Sequence, residues 1–192
     1  METLDLQNII TIYSEATPNP ETMKFVVNHM LLPNDSADFP TVESAVSSQL
    51  ATELFGKFSF VRGVFIMNNF VTVTKTEDSD WYDIIPQLKE FIRDYVQAGH
   101  AILNSSTSEQ TEDEESEIVS KIKNLRDSHG KPAVEMDGGA ISFKSFDNGI
   151  VTVVLKGSCS GCPSSTITLK AGIEGLLKRM VPEVSEVVAE AM

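Results

Sequence analysis

A chain of 192 residues with 41% hydrophobic content is long enough for one large packed domain or two small ones, and it needs no disulfide framework. Its formal net charge of −13 argues against the clustered Lys and Arg of a nucleic-acid binder, and no apolar run nears the roughly 18 to 20 residues that cross a bilayer. The opening METLDLQNII has neither the apolar core of a signal peptide nor the arginine of a transit peptide, which predicts a cytoplasmic protein.

In chain order, residues 10–13 and 23–27 read as strands, separated by the turn-rich SEATPNPET, whose prolines exclude helix. Val42, Ala45, Val46, Leu50, Leu54 and Phe55 then line one helical face over about four turns, with a stop expected at Gly56. Residues 58–67 and 70–74 are rich in Val, Phe, Ile and Thr. Asn68-Asn69 between them suits a tight hairpin turn, because Asn tolerates positive φ. Trp81, Ile84, Ile85, Leu88, Phe91, Ile92 and Tyr95 mark a second amphipathic helix. Pro86 places its expected start at residue 82 or 83, since proline is comfortable in a first turn, and Trp81 reads as a core anchor.

Residues 104–117, NSSTSEQTEDEESE, break the pattern. They offer almost nothing to bury against the entropy of ordering them, so a flexible acidic linker is expected over residues 101–117. Charge follows the same division. Residues 1–100 carry 6 basic and 14 acidic groups, residues 101–117 carry 0 and 6, and residues 118–192 carry 9 and 8. The reading is therefore a domain over residues 1–100, the linker over 101–117 and a near-neutral domain over 118–192. Both domains belong to the α+β class, each a small, mainly antiparallel sheet packed with two helices.

Past the linker, Ile118, Ile122 and Leu125 share a helical face, with a glycine stop expected near Gly130. Residues 141–146 and 150–155 read as strands joined through Asn148-Gly149, a strong hairpin signal. Leu169, Ile173, Leu176, Leu177 and Met180 form a helical stripe that ends before Pro182, and Val184, Val187 and Val188 suggest a last strand. Gly172 and Gly175 inside that helix each cost about 1 kcal/mol relative to alanine, which close packing of helix on sheet is expected to offset.

Between hairpin and helix lies KGSCSGCPSS, which holds both cysteines of the chain, Cys159 and Cys162. In a reducing compartment this spacing points to metal or redox chemistry rather than a structural bridge. Gly157 and Gly161 let the chain curl, and Pro163 suits a first helical position, so the thiols stand at a helix mouth whose unpaired N–H groups favour thiolates. Lys156 adds positive charge, and the Gly and Ser surroundings predict an exposed loop. Thiolates at this spacing suit zinc or an iron-sulfur cluster, and either centre takes four ligands. His29, His100 and His129 stand at no ligand spacing from the pair, so a second copy of the chain is the economical source of the other two. Two other readings stay open at this level: a thioredoxin-like dithiol oxidoreductase, opposed by an expected antiparallel hairpin where a βαβ unit would be needed, and a dimeric zinc-binding protein.

MDGGAISF, DNGIVTVVLKG, SCSGCPSSTITLKAGIEGLLKRMVPEV and VSEVVAE together resemble the NifU C-terminal-like domain across nearly all of residues 116–190. EATPNPETMKFVVN, LATELFGKFSFVRGVFIMNNFVTVTK and DWYDIIPQLKEFI look like the N-terminal domain of Nfu proteins over about residues 10–98. The resemblance implies that Cys159 and Cys162 bind a 4Fe-4S cluster shared between two subunits of a homodimer. It implies a cluster carrier and no enzyme, passing its cargo to apo client proteins and loaded by an upstream scaffold. The first domain is implied to face clients or partners without a cluster of its own. Lys131-Pro132 and Ala140 depart from the family's Arg-Pro and acidic residue, away from the cysteine pair. The cysteine-rich assembly regions of full NifU scaffolds are not found in this sequence. For Asp137-Gly138-Gly139 a turn with positive φ is the simpler expectation than a part in the site, and Ser158, Ser160, Ser164 and Ser165 read as helix-capping or as donors to cluster sulfurs.

Overall fold

The computed structural model describes residues 9–104, 117–160 and 163–191. Contacts divide the chain into two compact units, residues 1–16 with 21–106 and residues 17–20 with 107–192. Both are α+β.

The first unit is a five-stranded antiparallel sheet, in the order β1-β2-β5-β4-β3, carrying two helices. Its elements are β1 (Ile12–Ala16), β2 (Thr22–Val27), β3 (Leu32–Phe39), α1 (Gln49–Lys57), β4 (Val61–Asn68), β5 (Phe70–Lys75) and α2 (Trp81–Gln97). The hairpin turn falls where expected: Asn68 takes φ 47° between β4 and β5. Strand β3 was not expected, because LPNDSADF carries a proline and no apolar alternation. It is an edge strand whose pairing shifts register between Leu32 and Ser36, a place where proline and polar residues are tolerated.

The single helix expected from residue 42 is interrupted. A 3-10 turn over Glu43–Ser47 ends at Ser48, whose extended backbone (φ −129°, ψ 117°) and side chain cap a new helix by accepting from the Ala51 N–H. Gly56 does not end α1, which runs on to Lys57. Helix α2 starts earlier than Pro86 suggested, because Asp80 caps it by accepting from the Tyr82 N–H at 2.8 Å. Pro86 then lies in the second turn, at an exposed position. Phe25, Leu50, Leu54, Ile66, Val71, Leu88 and Ile92 form the core, with Trp81 packed against it. Residues 101–104 are fastened to this unit: Ser48 Oγ donates to the Ile102 carbonyl, and the Asn104 N–H to that of Ser47. Residues 105–116, most of the expected linker, lie outside the described residues.

The second unit has a three-stranded sheet in the order β6-β7-β8. Its elements are α3 (Glu117–Leu125), α4 (Lys131–Met136), β6 (Gly139–Asp147), β7 (Ile150–Gly157), α5 (Pro163–Met180) and β8 (Glu186–Ala191). Gly130 is no stop: it sits at φ −78°, ψ −47°, and a π-helical turn over Arg126–Gly130 carries α3 into α4. The helix ends instead at Gly138, whose φ of 77° is the left-handed conformation expected of a terminal glycine. Asn148 (φ 48°) and Gly149 (φ 83°) make the predicted turn between β6 and β7.

Strand β8 pairs parallel to β7, so β7-α5-β8 is a crossover unit. The expectation that β7 belongs to a hairpin and not to a βαβ unit therefore fails, because β7 is central and does both. The pairing of β7 with β6 was legible from one turn, whereas the pairing with β8 depends on a long-range connection. Ile122, Val134, Ile141, Val151, Leu155, Leu177 and Val187 form the core, and Cys159 is one of its members.

Candidate functional site

The site begins where β7 ends. Gly157 takes φ 65°, which turns the chain out of the sheet, and Ser160 closes the turn by donating from its N–H (3.1 Å) and its hydroxyl (2.9 Å) to the Gly157 carbonyl. Thr166, in the first turns of α5, donates to the Cys159 carbonyl at 3.2 Å. Pro163 occupies the first position of α5, as its missing N–H and fixed φ predict. Cys159 thus stands just before a helix N-terminus. Cys162, and the side chains of Ser164 and Ser165, lie outside the described residues.

Cys159 is buried, with 2% of its surface exposed, which corrects the expected open loop. The reason lies in Ser158, also 2% exposed, which was expected to cap a helix or face a cluster. Its N–H donates to the Gly138 carbonyl at 3.4 Å and its hydroxyl donates to the Asp137 carbonyl, so the loop is drawn down onto the end of α4. Its hydroxyl also lies 3.9 Å from Cys159 Sγ. Polar residues made this stretch look exposed, but Ser158 and Ser160 make hydrogen bonds within the chain, which offsets the cost of burying Ser158.

The two glycines before β6 have separate roles. Gly138 supplies the expected positive φ. Gly139 does not: a Cβ there would stand 2.8 Å from Cys159 Sγ and 2.6 Å from the Lys156 carbonyl oxygen. The GG pair was the only signal in the sequence for this approach, and the turn explained it incompletely. Gly172 and Gly175 also depart from expectation, since a Cβ at either meets nothing within 4 Å. Gly172 lines a cleft with Ala133, Leu169, Ile173 and Leu176 that reaches Cys159, and the structure offers no reason for Gly175.

Of the three histidines, His129 lines the cleft that also reaches Cys159. His29 is exposed, His100 packs at a tilt against Tyr95 with ring centroids 5.1 Å apart, and His129 Nδ1 lies 2.8 Å from Ser128 Oγ. Among the described residues no group of three or more His, Cys, Asp or Glu side chains is placed to hold a metal ion, and no helix is long and apolar enough to cross a membrane.

Residues 12–99 match the family described as scaffold protein Nfu/NifU N terminal, and residues 122–188 match the NifU-like domain. The chain is 40% identical over 179 residues to the human NFU1 iron-sulfur cluster scaffold homolog, mitochondrial, covering 92% of this chain and 70% of that one. The chain belongs to the Nfu/NifU scaffold family. Two Arabidopsis thaliana relatives are similar at comparable distance: NifU-like protein 4, mitochondrial, at 39% identity (93% of this chain, 65% of that one), and NifU-like protein 5, mitochondrial, at 37% (97% and 70%). These names overturn the cytoplasmic expectation, which rested on the first ten residues alone.

Proposed function

We propose that this member of the Nfu/NifU family is an iron-sulfur cluster carrier that binds a 4Fe-4S cluster through Cys159 and Cys162 and transfers it to apoproteins. The observation that carries the reading is a CxxC pair that directly precedes α5 in the sequence of a chain whose relatives are named iron-sulfur cluster scaffolds. Two thiols per chain leave a four-ligand cluster half held, so a second copy completes it across a two-fold interface. The cluster is cargo. An upstream scaffold supplies it, and each incoming client thiolate displaces one thiolate of the carrier, with no net redox change and no bond-making catalysis. Because Cys159 is buried, loading requires the loop over residues 157–160 to turn its thiol towards the surface. The first unit, which has no cysteine, serves client or partner recognition.

The test is anaerobic reconstitution with iron and sulfide, followed by addition of an apo acceptor. Visible cluster absorbance is expected to appear on the chain and then pass to the acceptor, while Cys162→Ser stays colourless. A parent protein that gains no cluster, or one that retains it against excess acceptor, overturns the proposal.

The parallel crossover β7-α5-β8 favours a second reading, dithiol oxidoreductase, since a CxxC opening the helix of a βαβ unit is also a redox arrangement. That reading predicts reduction of insulin disulfides by the cluster-free chain. A zinc-binding dimer would hold zinc tightly and release nothing to an acceptor.

A further inference from the structure

We propose that Gly139 is a positioning residue for Cys159, its missing side chain forming the seat into which the thiol turns. The inference rests on the reading of Cys159 as a cluster ligand. Gly139 is the first residue of β6, is buried, and pairs in register with Gly157 across β7. Its backbone does not take positive φ, unlike that of its neighbour Gly138 at φ 77°, so conformation alone does not call for glycine there. What does is space: a Cβ would come within 2.6 Å of the Lys156 carbonyl oxygen and 2.8 Å of Cys159 Sγ, closer than packed atoms approach.

The loop is held over this seat from the other side. Ser158 donates its N–H to the Gly138 carbonyl and its hydroxyl to the Asp137 carbonyl, so the residue before Cys159 is tied to the two residues before Gly139. The outcome is a thiol that is 2% exposed while standing at the edge of a helix mouth. The seat covers the first ligand of the pair, which shields it from oxidants and alkylating agents until the loop turns outward.

The test uses the full chain with Cys162→Ser, which leaves Cys159 as the sole thiol, and follows its alkylation by iodoacetamide. Adding Gly139→Ala is expected to speed alkylation about tenfold, because susceptibility follows exposure and thiolate character. Adding Gly175→Ala instead, where a Cβ meets nothing within 4 Å, is expected to leave the rate unchanged. Equal rates with and without Gly139→Ala in folded protein would overturn the proposal. Where Gly139→Ala impairs folding, Cys159→Ala in the same chain is expected to recover part of the lost urea midpoint, because removing the sulfur removes one of the two clashes. An equal loss with and without the sulfur would mean that the Lys156 carbonyl alone excludes the side chain, and would sink the idea. Failure of the parent chain to load a cluster would refute the carrier reading and leave the alkylation result standing, so the two are told apart.

Discussion

The two units of this chain use their cores differently. In the first, Phe25, Leu50, Leu54, Leu88 and Ile92 are fully buried between sheet and helices, and every core member is an ordinary hydrophobic residue or Tyr95. In the second, a three-stranded sheet carries a core in which one member is the Cys159 thiol, packed among residues such as Ile122, Ile141 and Leu177. The first unit can therefore be altered without touching the candidate chemistry. In the second, the proposed ligand is part of what holds the fold, so changes to the site also change stability.

That contrast can be broken in several ways. Phe25→Ala is expected to destabilise the first unit by about 3 to 5 kcal/mol, through lost burial and the cavity left behind, while cluster loading survives in whatever fraction stays folded. A urea melt paired with reconstitution reads both, and joint loss of loading would merge the two units' roles. Cys159→Ser is expected to do the reverse, abolishing loading and costing about 1 to 3 kcal/mol by placing a hydroxyl among apolar neighbours. An unchanged midpoint would mean that the thiol is not a core member.

Smaller effects sharpen the description of the first unit. Asp80→Ala removes the cap of α2 and is expected to cost about 1 kcal/mol by thermal or urea unfolding, with Asp80→Asn recovering most of it. At neutral pH Tyr95→Phe loses only the hydrogen bond from the hydroxyl to the Ala101 carbonyl at 2.8 Å. At high pH more is expected. Burial, and after it the Glu53 carboxylate, pushes the Tyr95 phenol from 10.0 up to about 12. The folded state thus prefers the neutral form. The stability this contributes is present below pH 10 and is lost as pH rises through about 12, a loss that Tyr95→Phe should abolish when stability is followed against pH.

Most of the fold was legible because its signals are local. The Asn68-Asn69 and Asn148-Gly149 turns, the stripes of α2 and α5 and the opening of α5 at Pro163 all depend on neighbouring residues. What escaped depends on distant ones. Strand β3 exists only as an edge added to β4, and β8 lies parallel to β7 only because α5 carries the chain back. The continuous helix through Gly130 required a π turn that composition does not announce. At the candidate site, the loop's place just before α5 was legible, but the burial of Cys159 was not. The polarity of Ser158 signals solvent unless its partners, the carbonyls of Asp137 and Gly138 some twenty residues earlier, are known. Gly139 was explained away by a turn that only Gly138 makes.

The central claim, that this chain supplies half of a shared cluster site, is tested most directly by native mass measurement after anaerobic reconstitution with iron and sulfide. The account predicts two chains carrying one 4Fe-4S cluster, and cluster-free single chains when Cys162→Ser is treated in the same way. A cluster-free monomer from the parent chain, or a Cys162→Ser dimer loaded like the parent, would contradict it.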